Sequence, residues 1–321
     1  RDRSPSRGLG DVYKRQALVQ TLGETKRSRR MIKVVIILLL IIIAALLIVG
    51  VVDGNRFVVA KQQFVLPNLR KNCRFVMVSD LHNKVYGKDN DKVNREIEQA
   101  NPDFILIVGD LVTSHQDEPV DTGIQFVNAL SGKYRIYYSP GNHESKLKYR
   151  ADYYGDMYNR LMKGIQHENV KILSDETIRL EEYGIALTGF ELGLEYFKRF
   201  KKRPMPLDYM NRKLGKPLKE YCNILMAHNP EYFEEYAKWG ADLVLSGHVH
   251  GGIMRLPLVG GVISPAYTLF PKYDGGIFHS GKTTMLLGRG MGSHTIQLRF
   301  FNPAELYVCL LYTSRAHETD S

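Results

Sequence analysis

The sequence predicts an α/β protein with two sheets, carried behind a single membrane-spanning helix. Three observations predict it. Residues 34–52 run without one charged or polar side chain. Short apolar runs at 74–79, 103–108 and 134–139 alternate with helix-like stretches at 88–100 and 120–130, the alternation of an α/β fold with buried strands. Later runs at 184–188, 223–227, 242–246, 283–287 and 294–300 include neighbours with no helix between them. That predicts a second, more antiparallel sheet.

At 321 residues, 44% hydrophobic and 24% charged, the chain can bury a sizeable core and is neither disordered nor collagenous. Three cysteines make no disulfide framework in a chain of this length. The formal net charge is +10, and its placement matters more than its size. Both ends read as foreign. Residues 6–16 back-translate to DNA resembling an adapter used in transposase-made sequencing libraries, and the reverse complement of that DNA reads as residues 309–314. Residues 1–16 and 309–321 are therefore expected to be adapter-derived, with native sequence from about 17 to 308. These ends hold +3 and −1, residues 17–52 hold +4, and the body keeps +4. So modest a body charge removes most of the case for nucleic acid.

The nineteen residues of 34–52, at about 1.5 Å each, nearly cross the hydrocarbon core of a bilayer. A buried helix of a soluble protein would carry polar residues on at least one edge. Lys26, Arg27, Arg29, Arg30 and Lys33 precede the run, whereas Arg56 and Lys61 follow it sparsely. This excess predicts a single-pass protein of the cell membrane. Its basic segment 17–33 is expected in the cytoplasm, and everything after Asp53 outside it. Residues 53–72 read as a short linker. Residues 28–32 form a partial twin-arginine export signal. No small-residue cleavage site follows the run, so the helix is expected to stay as an anchor.

The chemistry sits where the apolar runs stop. They end in Asp80 and His82, Asp110, Asn142 and His143, His228, and His248 and His250. In open α/β sheets, sites gather outside the carboxyl ends of strands. Residues two apart in an extended segment point to one side, so Asp80 with His82, and His248 with His250, can each face one cavity. The donors are oxygen and nitrogen without thiolate. That suits divalent Mn, Fe or Zn and argues against a structural cysteine zinc site. Asp80, His82, Asp110, Asn142, His228, His248 and His250 are too many for one ion. A carboxylate can bridge two, and Asp110 lies in the middle of the order. Two ions about 3.5–4 Å apart can clamp the attacking and leaving oxygens of a phosphoryl displacement.

Asp80-Leu81-His82, Gly109-Asp110, Gly141-Asn142-His143-Glu144, an isolated His228 and Gly247-His248-Val249-His250 stand in this order at strand ends. Together they resemble the motif blocks of the calcineurin-like metallophosphoesterases. The resemblance runs from about 74 to 308 and is closest to the membrane-associated bacterial branch. Residues 227–230, 246–252, 289–292 and 302–305 carry that closer likeness. It implies a four-layer αββα sandwich, two mixed sheets flanked by helices, over residues 73–308. It implies hydrolysis of a phosphomonoester, phosphodiester or pyrophosphate bond.

The resemblance also implies roles. Asp80, His82, Asp110 and His250 would hold one divalent metal, and Asp110, Asn142, His228 and His248 the other, with Mn favoured. A hydroxide between the metals would attack phosphorus in line. His143 would stay off the metals and protonate the leaving oxygen, with Glu144 orienting its ring. Val249 and Ile253 stand where the branch usually has Thr and Gln. Neither is a ligand, so the difference bears on substrate contacts.

His115, His167, His279 and His294 fall outside the blocks and read as structural or surface residues. Residues 196–203 interleave aromatics with Lys198, Arg199, Lys201, Lys202 and Arg203. That makes a basic, aromatic edge suited to an anionic headgroup or a membrane surface. Residues 204–217 read as an irregular loop, a candidate lid. The expected partners are the lipid bilayer and a phosphate-containing substrate, lipid-linked or envelope phosphates first; nucleic acid is not expected. The rival enzymatic reading is a phosphodiesterase or nuclease on soluble nucleotides. The non-enzymatic one is an inactive, membrane-tethered binding protein, against which the intact ligand set and His143 count.

Overall fold

The apolar runs become strands because both of their faces are covered. The computed structural model describes residues 6–198, 202–206, 208–252, 254–256, 259–264, 268–293 and 298–314. It opens with α1 (Ser6–Gly54), β1 (Phe57–Leu66), β2 (Cys73–Val78), α2 (Asp91–Ala100), β3 (Phe104–Val108), α3 (Asp121–Ser131) and β4 (Arg135–Ser139). Next come α4 (Asn142–Tyr149), α5 (Ala151–Tyr154), α6 (Met157–Gly164), β5 (Val170–Ile172), β6 (Glu176–Leu180), β7 (Ile185–Phe190) and α7 (Tyr209–Leu214). The chain continues through β8 (Cys222–Ala227), α8 (Phe233–Trp239), β9 (Leu243–Ser246), β10 (Met254–Leu256), β11 (Gly260–Ile263), β12 (Gly276–Ser280), β13 (Thr283–Leu287) and β14 (Ala304–Thr313).

Two six-stranded mixed sheets result, in the orders β1-β14-β2-β3-β4-β5 and β12-β13-β9-β8-β7-β6, and β10 and β11 form a separate hairpin. Successive side chains on a strand point to opposite faces. Val76, Val78, Ile105 and Ile107 therefore pack among the helices over the first sheet. Phe75, Met77, Phe104 and Leu106 meet Ile224, Met226, Leu243 and Leu245 between the sheets. Leu225, Ala227, Val244 and Met285 pack with Tyr236 and Trp239 of α8. Three apolar layers separate four layers of backbone, so the αββα expectation stands.

Five expectations need correction. The second sheet is parallel at its centre, through β7, β8, β9 and β13, and antiparallel only at the edges β6 and β12. Long excursions between its strands act as crossovers. Residues 53–72 are more than a linker, because β1 adds a parallel strand beside β14. The strand expected at 294–300 is absent from 298–300, apart from a single bridge between Met254 and Phe300; residues 294–297 lie outside the described residues. The closing strand is β14, which runs five residues past the expected boundary at Val308 and buries Cys309 and Leu311. The stretch 204–217 carries α7 and buries Met205 and Met210, so it is not all irregular.

Two compact units divide the chain, Arg1–Val49 and Gly50–Ser321. Within α1, the stretch Arg27–Gly54 is long and apolar enough to cross a membrane. In the body, β1 pairs Phe57 with Ala304 and Leu66 with Thr313. β14 pairs Tyr307 with Met77 and Leu311 with Cys73. The chain thus enters the first sheet at the end where β2 finishes.

Phe75 is fully buried between the sheets, with its ring stacked on Phe104 at 5.9 Å. Phe75→Ala is expected to cost about 3–5 kcal/mol and to lower the thermal midpoint of the detergent-solubilised chain. An unchanged midpoint would contradict this inter-sheet core.

Candidate metal centre

The candidate ligands converge because they follow strands that run the same way. β2, β3 and β4 are parallel neighbours, as are β8 and β9. Asp80 and His82 follow β2, Asp110 follows β3, Asn142 and His143 open α4 after β4, His228 follows β8, and His248 and His250 follow β9. His248 is half-buried and the others are buried. Three overlapping groups offer donor atoms within 4.8 Å of one another: Asp80, His82 and His250; His82, Asp110 and His143; Asp110, His228 and His248. Asp110 belongs to two of them.

Hydrogen bonds set the histidine tautomers. His228 Nδ1 lies 2.9 Å from the Val108 carbonyl oxygen, and His250 Nδ1 lies 2.9 Å from that of Gly292. A carbonyl only accepts, so each Nδ1 carries the proton and Nε2 turns its lone pair to the site. His228 Nε2 sits 2.9 Å from Asp110 Oδ2 and 3.6 Å from Asp80 Oδ1. His250 Nε2 sits 3.5 Å from Asp80 Oδ1, and His82 Nε2 sits 3.7 Å from Asp110 Oδ2. His82 Nδ1 faces the Thr113 hydroxyl at 3.4 Å. His143 has the opposite tautomer. The Ser114 backbone N–H donates to its Nδ1 at 2.8 Å, so the proton sits on Nε2.

A cation fits this cluster. Lone pairs on His228 Nε2 and Asp110 Oδ2 at 2.9 Å repel unless a positive charge lies with them. Without a metal that charge is a proton. Burial alone would lower the His228 pKa, but the carboxylates of Asp110 and Asp80 outweigh it and raise it to about 10. Burial would likewise raise Asp110, yet His228, His143 and His82 hold it well below the usual carboxylate range. Burial, helped by the Asp110 charge, raises Asp80 to about 6. Asp80 Oδ2 and Asn142 Oδ1 are buried with no hydrogen-bond partner, and leaving such an acceptor unmet costs about 1–3 kcal/mol. Divalent ions would displace the protons and satisfy both oxygens.

The backbone is strained to make the site. Asp80, His82, Asp110, His248 and His250 have φ of 50°, 47°, 51°, 73° and 53°, a left-handed region that side chains rarely adopt and that gathers at functional sites. The pairs Asp80/His82 and His248/His250 therefore reach the site from tight turns, not from the extended segments that their spacing suggested. Small residues leave the room. A Cβ on Gly141 would stand 2.3 Å from Asp110 Oδ1, and one on Gly247 would stand 2.3 Å from Asp80 Oδ2.

Glu144 does not take the place expected for it. Its Oε2 accepts from the backbone N–H groups of Asp110 (2.9 Å) and Gly141 (2.8 Å), and its Oε1 from that of Val112 (3.2 Å). It straps the loops after β3 and β4 together, while Ser114 fixes the His143 ring. Burial, and then the charge of Asp110, raise the Glu144 pKa to about 7. A serine four residues past Asp110 has no spacing signature, so sequence reasoning missed it.

Among the described residues, the basic, aromatic stretch reaches the site by its ring. Phe197 packs at 5.1 Å from the His248 ring and 6.3 Å from that of His228. Lys198 is exposed. Lys202 donates to the Glu231 carbonyl at 2.6 Å and covers the Tyr232 ring. Arg203 covers Tyr196 and lies 3.9 Å from Glu195. Arg199, Lys201, Ile253 and His294 lie outside the described residues. His115 and His279 are exposed and His167 is half-buried.

Residues 73–252 match the calcineurin-like phosphoesterase family model. An uncharacterised metallophosphoesterase of Campylobacter jejuni is 28% identical over 253 residues, which is 76% of this chain and 60% of that one. One of Helicobacter pylori is 30% identical over 257 residues, 78% of this chain and 63% of that one. The chain thus spans about three fifths of the length of these relatives. A UDP-2,3-diacylglucosamine pyrophosphatase of Chlamydia trachomatis is 24% identical over 286 residues, 74% of this chain and 82% of that one. Ordered motif blocks, two sheets in a four-layer sandwich and donors gathered at the strand ends all agree with the family match: the chain belongs to the calcineurin-like phosphoesterases, a family of metal-dependent hydrolases.

Proposed function

We propose that this chain is a membrane-anchored, two-metal phosphoesterase acting on lipid-linked or envelope phosphates. The observation that carries it is the pair of donor groups, Asp80–His82–His250 and Asp110–His228–His248, with Asp110 beside both. One ion would be held by Asp80, His82, Asp110 and His250, and the other by Asp110, Asn142, His228 and His248. Mn is the favoured occupant. Bound ions of this kind polarise phosphoryl oxygens and acidify water toward neutral pH.

The chain's own residues do the rest. Nε2–H of His143 points a proton, rather than a lone pair, into the site. That supports a role at the leaving oxygen and argues against ligation. The Ser114 N–H holds the ring in that tautomer. Glu144 keeps Asp110 and the start of α4 in register, which makes it a positioning residue. Burial of the donors keeps water out and strengthens every charge interaction among them. The apolar stretch of α1 and the basic residues before it support a cytoplasmic N-terminus with the hydrolase domain outside. The Chlamydia relative, named for a lipid-bearing pyrophosphate, supports a substrate with a lipid part.

The purified full-length chain, loaded with Mn, is expected to hydrolyse bis(p-nitrophenyl) phosphate and to carry two metals by elemental analysis. Absence of both turnover and bound metal would refute the reading. His143→Ala should slow turnover by about 10²–10⁴-fold while both metals stay; lost metal would instead make His143 a ligand. An alkaline phosphatase reporter fused to the carboxyl end should be active. An active cytoplasmic reporter at the same place would overturn the orientation.

A further inference from the structure

One exposed apolar surface lies beside the metal centre and has no role in the proposed chemistry. The β10–β11 hairpin starts four residues after His250, and its flanks extend it. Arg255 N–H donates to the Phe300 carbonyl at 3.0 Å, and Phe270 N–H to that of Val262 at 2.9 Å. Bridges join Met254 to Phe300 and Ile263 to Leu269. Backbone pairing thus brings together the segments that carry Leu256, Val259, Leu269, Phe270 and Phe301. All five are exposed, Leu269 at 63% and Phe270 at 61%. Single exposed apolar residues are ordinary, but several on paired neighbouring segments point to a surface that something covers.

The occupant follows from where the chain enters the body. Residues 50–54, covalently continuous with the apolar run, are held against the segment that carries Phe301. Arg299 N–H donates to the Gly50 carbonyl at 3.1 Å, and Asn302 N–H to Asp53 Oδ2 at 3.1 Å. A Cβ on Gly50 would stand 2.7 Å from the Phe300 ring, so the two residues lie in close contact. Asn302 also donates to the carbonyls of His250 (2.8 Å) and Gly252 (2.7 Å). Register places all of this at one end of the sheets. β1 begins where β14 begins and where β2 delivers Asp80. Lys84 Nζ, bound to Asn55 Oδ1 at 2.8 Å, adds a cation at this end. Apolar side chains with a neighbouring cation are the composition of an interfacial surface.

We propose that Leu256, Val259, Leu269, Phe270 and Phe301 form a membrane-docking surface. Its occupant is the lipid bilayer that holds the anchor, so the metal centre opens toward the headgroups of the adjoining leaflet. This rests on the reading of residues 34–52 as a membrane span. It holds whichever side of the membrane the body occupies. A centre placed in this way takes phosphates carried at headgroup depth in preference to phosphates in bulk water.

The test uses the full-length chain with Phe270→Cys or Val259→Cys, and Glu220→Cys as control. Glu220 is exposed at the opposite end, where Asn68 after β1 bonds the carbonyls of Lys219 and Tyr221. The native Cys73, Cys222 and Cys309 are buried, so a maleimide fluorophore reads the new thiols. The labelled chains are reconstituted in vesicles of phosphatidylethanolamine and phosphatidylglycerol. Doxyl-labelled lipid is expected to quench the probes at 270 and 259 severalfold more than the probe at 220, and aqueous iodide to do the reverse. Equal iodide quenching at all three positions overturns the docking surface. A carbonate wash separates the two ideas. If the chain stays with the vesicles while iodide reaches position 270 freely, docking alone fails; release of the chain overturns the anchor and the proposal with it.

Discussion

Two buried carboxylates on neighbouring parallel strands are the constraint that the rest of the body serves. β2 and β3 pair Val78 with Ile107, so the loops that carry Asp80 and Asp110 leave the sheet side by side. Both side chains are almost wholly removed from water. Anions so placed cannot stay unpaired, because an isolated buried charge costs far more than any single contact repays. The surroundings answer that demand in one direction. Backbone N–H groups of His143 and His248 donate to them at 2.8 Å each, and imidazole nitrogens come in from three further loops. Glu144 adds a third buried carboxyl a few residues away, met by three backbone N–H groups. Such a concentration of acceptors is stable only with cations in it, and a proton on His228 is the weaker substitute for metal.

That arrangement explains what could be read from the residues alone. β2, β3, β4, β8 and β9 were legible because both of their faces are covered, so nothing polar interrupts them. The ligands were legible because each stands where such a run stops, beside Gly, Pro or Asn. Edge strands were not. β6 (Glu176–Leu180) and β12 (Gly276–Ser280) have partly open faces and mixed composition. β1 holds Lys61, Gln62 and Gln63, polar residues that read as linker. The supports of the site were hidden for another reason. The Ser114 N–H and the carbonyls of Val108 and Gly292 are backbone groups that any residue would supply. Only the path of the chain says which of them meets a histidine.

The segment after β7 shows the same difference between composition and placement. Its cations suggested a charged grip, yet Lys202 and Arg203 lie against a carbonyl, a carboxylate and aromatic rings of their own neighbourhood. Among the described residues, Phe197 sets an apolar ring against the candidate ligands His228 and His248. Glu191, just past β7, fixes this region to α4. It accepts from the hydroxyls of Ser145 and Ser174, and from Lys148 at 3.1 Å. Ser145 and Lys148 sit on α4, the helix that begins with Asn142 and His143. The wall over one ligand pair and the helix that carries His143 are therefore tied through a single carboxylate. Those hydrogen bonds and the Lys148 charge hold its pKa below the usual range, although burial pushes the other way.

Strand direction decides where the chain that follows α1 enters the body. β1 is ten residues long, about 33 Å at ordinary strand rise. Had it run antiparallel to β14, the chain would enter the body roughly that distance from the metal centre. It runs parallel to β14 and antiparallel to β2 through it, so the entry point and Asp80 share one end. Asn302 makes the link chemical as well as geometric. Its N–H holds Asp53 near the entry, and its side chain holds the carbonyls on either side of Gly251, next to His250. Movement of the chain at Asp53 and movement of the His250 loop are thus resisted by the same residue. On the proposal that residues 34–52 span a membrane and the substrate lies in it, this link would give the substrate a fixed approach to the His250 loop.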